Sequence, residues 1–295
     1  MTKANEVSWK NQTMGTNAIG IKQIFCPTDF SDQSAEAIRM AYRIAEKTKA
    51  SIVVFHAFKI PFVDEYMPST MVDNLMKENE LKANKDLQTF LKTQKLEHIK
   101  ITTEAKMGFT AETIADGAEE ANADLIVMST QGCNSVEDRM FGTVTWNTIR
   151  HSHIPVLVIP QDADIPDGSN IIFPFECIEE DVDVLRQCLL FSSLFNSKVY
   201  AIHFMQDGTV GNKSIVNKIN TTFRKEIADG DLNLNFVVDK NITEAITRFA
   251  DTHSAGAIVM ITHHMGFMAT IFHMSTTRHI ALYNNIPLLA FNAEQ

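Results

Sequence analysis

A chain whose pattern of apolar runs starts again halfway along is constrained more by that repetition than by any single motif. Across 295 residues, "QIFCPTD" is echoed by "NIIFPFE", "SIVVFHAF" by "SKVYAIHF", "ADLIVMSTQG" by "AGAIVMITHH" and "SHIPVLVI" by "NNIPLLAF". The offsets are regular: 147 residues separate Pro27 from Pro174 and His56 from His203, whereas 132 separate Pro155 from Pro287. The second copy is therefore shorter between its second and last strands, in the stretch that replaces a long helix. An internal duplication accounts for this pattern.

Within the first copy, strand and helix patterns alternate. "IKQIFCP" is a short apolar run, and Ser31 stands as an N-cap before a segment with Ala35, Ile38, Ala41, Tyr42 and Ala45 at helical spacing. "SIVVFHAF" follows as a buried strand, then a helix through "LMKENELKANKDLQTFLKTQ" with Leu75, Leu81, Leu87, Phe90 and Leu91 as its expected apolar stripe. "IKITTEAKMG", "DLIVMST" and "IPVLVIP" read as strands, separated by helices in "TAETIADGAEEANA" and "TVTWNTIRHS". Such alternation specifies a parallel sheet with helices on both faces. The expected fold is α/β, with two tandem, doubly wound, open parallel sheets of five strands. Residues 1–20 read as a flexible leader without the apolar centre of a signal peptide, 21–160 as the first domain, 161–169 as a linker and 170–295 as the second domain.

Composition narrows the function. A net charge of −10 and a pI near 5.5 leave no basic stripe for a nucleic-acid backbone. No apolar run approaches the roughly 20 residues of a membrane span. Cys26, Cys133, Cys177 and Cys188 show no CxxC or disulfide-like spacing, which points to a reducing cytoplasm. His263, His264, His273 and His279 match no zinc-ligand spacing, and adjacent histidines on a strand point to opposite faces. They read as loop histidines, and no metal site is assigned.

In an open parallel sheet whose order reverses at the first strand, ligands bind outside the carboxyl ends of the first and fourth strands. Those ends carry "PTDFS" and "STQG", about a hundred residues apart in sequence. Gly132 lets the chain turn out of the fourth strand, and Gly142 directly precedes Thr143 and the next helix. Backbone N–H groups at a helix N-terminus attract phosphate, glycine permits close approach, and the Thr143 hydroxyl adds a donor. A phosphate cradle is one reading of these residues, and two ordinary turn glycines the other. There is neither a GxSxG elbow nor a lysine-bearing phosphate loop, so no catalytic residue is assigned and at most slow ATP hydrolysis is expected.

"PTDFS", the "HAF" ending of the second strand and "STQGCNSVEDRMFGTV" before "IPVLVIP" resemble the universal stress protein family, here as a tandem two-domain member. Its nucleotide-binding members carry Gly-x-x-Gly, nine residues, then Gly-Ser or Gly-Thr. This chain has Ser129-x-x-Gly132, nine residues from Cys133 to Phe141, then Gly142-Thr143. The resemblance implies an adenine nucleotide alpha hydrolase-like fold with strand order 3-2-1-4-5. It also implies a site in which Pro27 and Thr28 shape the pocket, Asp29 serves the adenine and ribose end, and the Ala57 backbone faces the adenine edge. Gly132, Gly142, Thr143 and the Val144 amide would hold the phosphates of ATP, AMP or ADP, with Mg²⁺ only as a companion of ATP. Ser129, where the family's binders have glycine, implies weakened binding.

In the second copy Glu176, Ile261, His264, Met274 and Ser275 stand at the positions of Asp29, Ser129, Gly132, Gly142 and Thr143. Bulky side chains at both phosphate glycines imply that this half has lost the nucleotide site. The expected function is a cytoplasmic stress-response or signalling module, with a nucleotide-free scaffold for protein contacts as the alternative. Family dimerisation through the last strand implies that the two copies pair with each other inside the chain, with a homodimer as a further expectation. Protein partners are not identified by the sequence.

Overall fold

The computed structural model describes residues 20–59, 67–94, 96–130, 142–205, 208, 210–262 and 286–292. The chain divides into two compact units, one of Ile21–Val156 and another that takes Leu157–Gln295. Each carries the expected α/β pattern.

In the first half, β1 (Gln23–Pro27), β2 (Ser51–Phe58), β3 (Ile101–Met107), β4 (Leu125–Ser129) and β5 (Val156–Ile159) lie in the order β3-β2-β1-β4-β5. β1 pairs in parallel with β2 and β4, and β2 with β3. All five residues of β4 are buried, as are four of five in β1, which is why these strands read as unbroken apolar runs. The edge strand β3 buries only Ala105.

Helix α1 (Asp32–Thr48) starts at Ser31, whose Oγ accepts the Ser34 N–H at 3.2 Å, and it buries Ala35, Ile38, Ala41 and Ala45. The expected cap is present, and so is the stripe apart from Tyr42, which is only half-buried and donates its hydroxyl to Glu97 O at 2.6 Å. Helix α2 (Ser69–Gln94) differs from the expected stripe: Ala83 and Leu87 are buried, but Leu81 is 71% exposed. Six residues separate Leu81 from Leu87, more than one and a half turns, so the two cannot share a face. On the remaining helices, α3 (Thr110–Glu120) and α4 (Thr143–His151), one contact is unusually close. A Cβ on Gly117 of α3 would lie 3.0 Å from the Phe55 ring and 3.2 Å from the Phe25 ring. Glycine lets α3 sit directly on that aromatic pair.

In the second half, β6 (Asn170–Pro174), β7 (Val199–Met205), β8 (Leu232–Val238), β9 (Ala255–Ile261) and β10 (Leu288–Phe291) repeat the order as β8-β7-β6-β9-β10. Helix α5 (Glu179–Ser193) corresponds to α1 and α8 (Ile242–Thr252) to α3. Where the first half has the 26-residue α2, the second has α6 (Lys213–Thr222) and the six-residue α7 (Arg224–Asp229). This is the shortening that the offsets located. Less helix covers the edge strand, and along one face of β8 exposure rises from 1% at Leu232 to 37% at Phe236 and 61% at Val238. His263, His264, His273, His279, Met274 and Ser275 lie outside the described residues.

Candidate functional site

Where β1 ends, the chain turns away sharply. The Thr28 N–H donates to Phe55 O at 2.8 Å as the last ladder bond between β1 and β2. Thr28 is buried, its Oγ1 lying 2.7 Å from Ser34 Oγ and accepting the Phe30 N–H at 3.0 Å. Phe30 has φ of 67°, a left-handed backbone that ends strand geometry there. Asp29 Oδ1 accepts from Ser31 Oγ at 2.6 Å and from Ser31 N–H at 3.1 Å, so the carboxylate is fixed against the start of α1.

His56, near the end of β2, braces this turn. Its Nδ1 lies 2.7 Å from Thr28 O, and because a carbonyl only accepts, Nδ1 is the donor. The Phe30 ring lies against the imidazole at 4.3 Å, tilted by 36°, and Phe90 from α2 meets Phe30 edge-on at 5.6 Å. β2 thus overhangs β1 by three residues, His56, Ala57 and Phe58. The Phe55 carbonyl points toward β1, so by alternation the Ala57 N–H and C=O point the same way. Among the described residues no backbone partner meets them there. Among the described residues, Ala57 therefore presents an open donor and acceptor beside the Asp29 turn.

The second wall comes from β4. Its register with β1 pairs Ile24 with Leu125 and Phe25 with Ile126, and continuing it brings Thr28 level with Ser129. Ser129 is 9% exposed. The connection to α4 is tied at its base: Gly142 N–H donates to Thr130 O at 2.7 Å, and Thr145 Oγ1 donates to Ser129 O at 3.0 Å and Thr130 O at 3.3 Å. Gly132 lies outside the described residues.

Gly142 is the N-cap of α4, at φ −61° and ψ 151°, a conformation open to any residue. Its value is therefore absence of bulk rather than backbone freedom. Its amide is already engaged by Thr130 O, so the donors left at this terminus are those of the first helical turn, Thr143, Val144 and Thr145. A glycine has no side chain to cap them, and among the described residues no other group does. Thr143 and Val144 are both exposed. An adenine nucleotide fits this donor set: a backbone donor and acceptor at Ala57, a fixed carboxylate at Asp29, and uncapped amides at α4 for the phosphates.

Two features here were not foreseen from the sequence. Thr145 holds the loop base, and the only cue was a hydroxyl residue three places past the cap glycine. His56 holds the Asp29 turn, which its recurrence as His203 could have signalled. A separate cleft of about 240 Å³ lies between α3 and α4, lined by Phe109, Thr110, Glu112, Val144, Asn147 and His151 among others. It shares Thr143 and Val144 with the site but not Asp29, Ala57 or Ser129, and the Glu112 carboxylate makes it unsuited to phosphate.

The second half builds the same turn with other groups. Cys177 takes the place of Phe30 and keeps its left-handed backbone, at φ 64°. Asp181 Oδ2, on the first turn of α5, accepts the N–H groups of Glu176 and Ile178 at 3.1 and 2.8 Å, whereas in the first half Asp29 Oδ1 accepts the Ser31 N–H. His203 Nδ1 lies 3.0 Å from Phe175 O, as His56 does from Thr28 O. The counterpart of the α4 region falls outside the described residues. Among the described residues no group of three or more His, Cys, Asp and Glu side chains forms a metal site. No helix among them is long and apolar enough to cross a membrane.

Comparison with known proteins agrees with this architecture. Residues 20–160 match the Universal stress protein family. A universal stress protein of Methanocaldococcus jannaschii is 35% identical over 143 residues, covering 47% of this chain and 81% of that protein. One from Bacillus subtilis is 25% identical over 138 residues, covering 44% of this chain and 93% of the relative. Among solved structures, a universal stress protein from Archaeoglobus fulgidus shares the fold with a TM-score of 0.67 at 14% identity, over 94% of this chain and 98% of its own.

Proposed function

We infer that this chain, which belongs to the universal stress protein family, binds one adenine nucleotide in its first half and serves as a stress-response module. The observation that carries this reading is the pairing of an open backbone edge at Ala57 with an uncapped α4 terminus across adjacent strand ends. Pro27 and Thr28 shape the pocket floor, Asp29 serves the adenine and ribose end, and the Ala57 backbone meets the adenine edge. The phosphates lie toward Gly132, Gly142, Thr143 and the amide of Val144. When bound, the nucleotide brings the negative charge that the helix terminus favours, with Mg²⁺ as the companion of ATP. Ser129 narrows the entrance and weakens the site without closing it. ATP occupancy then alters the shape or partner choice of the first half, and the second half acts without nucleotide.

Calorimetric titration with ATP tests this. The expected stoichiometry is one per chain, abolished by Gly142→Met, which places a side chain over the first-turn amides. Two equivalent sites, or binding untouched by that substitution, would refute the assignment. A nucleotide-free scaffold is the competing reading, supported by Ser129 and by the engagement of the Gly142 amide with Thr130 O. Failure of both the natural chain and Ser129→Gly to bind any adenine nucleotide would favour it.

A further inference from the structure

The duplicated histidines have diverged in one respect that the nucleotide reading does not use. In the first half the face of His56 is covered by the Phe30 ring. In the second, Cys177 stands where Phe30 did, and backbone at Gly211 meets the ring at Nε2. The Gly211 N–H donates to His203 Nε2 at 3.2 Å. The approach favours glycine: a Cβ there would lie 3.2 Å from the ring's Cε1 and Nε2 and 3.3 Å from Cys177 Cβ, so the ring or the thiol side chain would have to give way.

Both nitrogens of His203 are therefore committed, and in opposite roles. Nδ1 must donate, because its partner is the Phe175 carbonyl, and Nε2 must accept, because its partner is an amide N–H. Only the neutral Nδ1–H tautomer satisfies both. His203 is 8% exposed, with the Phe175 ring at 5.5 Å and the Phe236 ring at 6.1 Å. A second proton on Nε2 would set N–H against N–H between apolar walls. The segments around the ring carry Glu176 and Cys177 after β6, Asp181 on α5, Lys213 on α6 and Asp239 after β8. None of the ion pairs formed among the described residues includes His203.

We propose that His203 is a proton-operated latch in the second half: its neutral ring holds the segment at Gly211, and protonation of Nε2 releases it. Gly211 itself lies at the surface, so the segment has room to move outward. His56 carries the same Nδ1 bond but holds no amide on its other nitrogen among the described residues.

Nuclear magnetic resonance of the ¹⁵N-labelled full chain between about pH 8 and 5 tests the latch. At high pH the His203 ring should be the Nδ1–H tautomer. As the ring titrates, the Gly211 amide should exchange about tenfold faster relative to the Gly230 amide, which donates to Ile227 O and serves as the internal reference. His203→Gln supplies an acceptor that does not titrate and should make the Gly211-to-Gly230 ratio independent of pH. Should that variant fail to fold, Gly211→Ala leaves the ring intact while displacing the segment, and the tautomer lock of His203 should be lost. An Nε2–H tautomer in the native chain, a ring that stays neutral down to about pH 5, or a Gly211 ratio unchanged across that range would overturn the proposal.

Discussion

Replacing Thr145 and Thr148 of α4 by valine, one at a time, applies the same chemical change to two buried hydroxyls with opposite surroundings. Thr145 is 3% exposed and donates to the carbonyls of Ser129 and Thr130. Thr148 is fully buried, and its Oγ1 meets no hydrogen-bond partner among the described residues. Valine keeps the side-chain shape, and valine and threonine have nearly equal helix propensity, so what changes is the hydroxyl. At position 145 the change removes one good hydrogen bond and one longer one, an expected loss of about 1–2 kcal/mol. At position 148 it removes a buried polar group without a partner, and the expected effect is neutral or a gain of up to about 1 kcal/mol. Urea unfolding followed by tryptophan fluorescence can separate them, because Trp146 lies in α4 itself. A Trp9→Phe background leaves Trp146 as the single reporter, the chain having two tryptophans. A neutral Thr145→Val, or a Thr148→Val that destabilises by more than about 1 kcal/mol, would refute the reasoning.

Ser129→Gly should tighten ATP more than adenosine, because adenosine lacks the phosphates that pass the serine; equal calorimetric gains for the two ligands would place its effect elsewhere. Burial, and then the Asp181 carboxylate, push the Cys177 thiol up to about 11 from 9.0. With the folded value raised, this contribution to stability is fully present below pH 9.0 and is lost as pH rises toward about 11. Urea midpoints of the natural chain and of Cys177→Ser across that range should diverge in slope, and parallel slopes would count against the buried-thiol account.

Much of the fold was legible because periodicity is a local signal. The unbroken apolar runs at "IFCP" and "LIVMS" became buried strands, and Ser31 became the cap of α1. Leu81 was misread because a residue's face depends on its angle around the helix rather than on its hydrophobicity. At the site, the meeting of the Asp29 turn with the end of β4 followed from strand order alone. What did not follow were bonds set by register between distant residues, such as His56 to Thr28 O across 28 positions and Thr145 to Ser129 O across 16. The engagement of Gly142 by Thr130 was equally hidden, since glycine announces a tight place without naming its neighbour.

Phe30 and Cys177 share almost nothing as side chains, yet both hold a positive φ at the same point of the duplicated turn. A residue in that conformation cannot join an extended ladder, and for anything but glycine it is held there at a strain of roughly 1–2 kcal/mol. β1 and β6 therefore cannot extend through Phe30 and Cys177 while those residues keep this conformation. The end of each strand is thus set by backbone torsion. Binding beyond that point would require no sheet hydrogen bond to be broken first, because the strand has already ended.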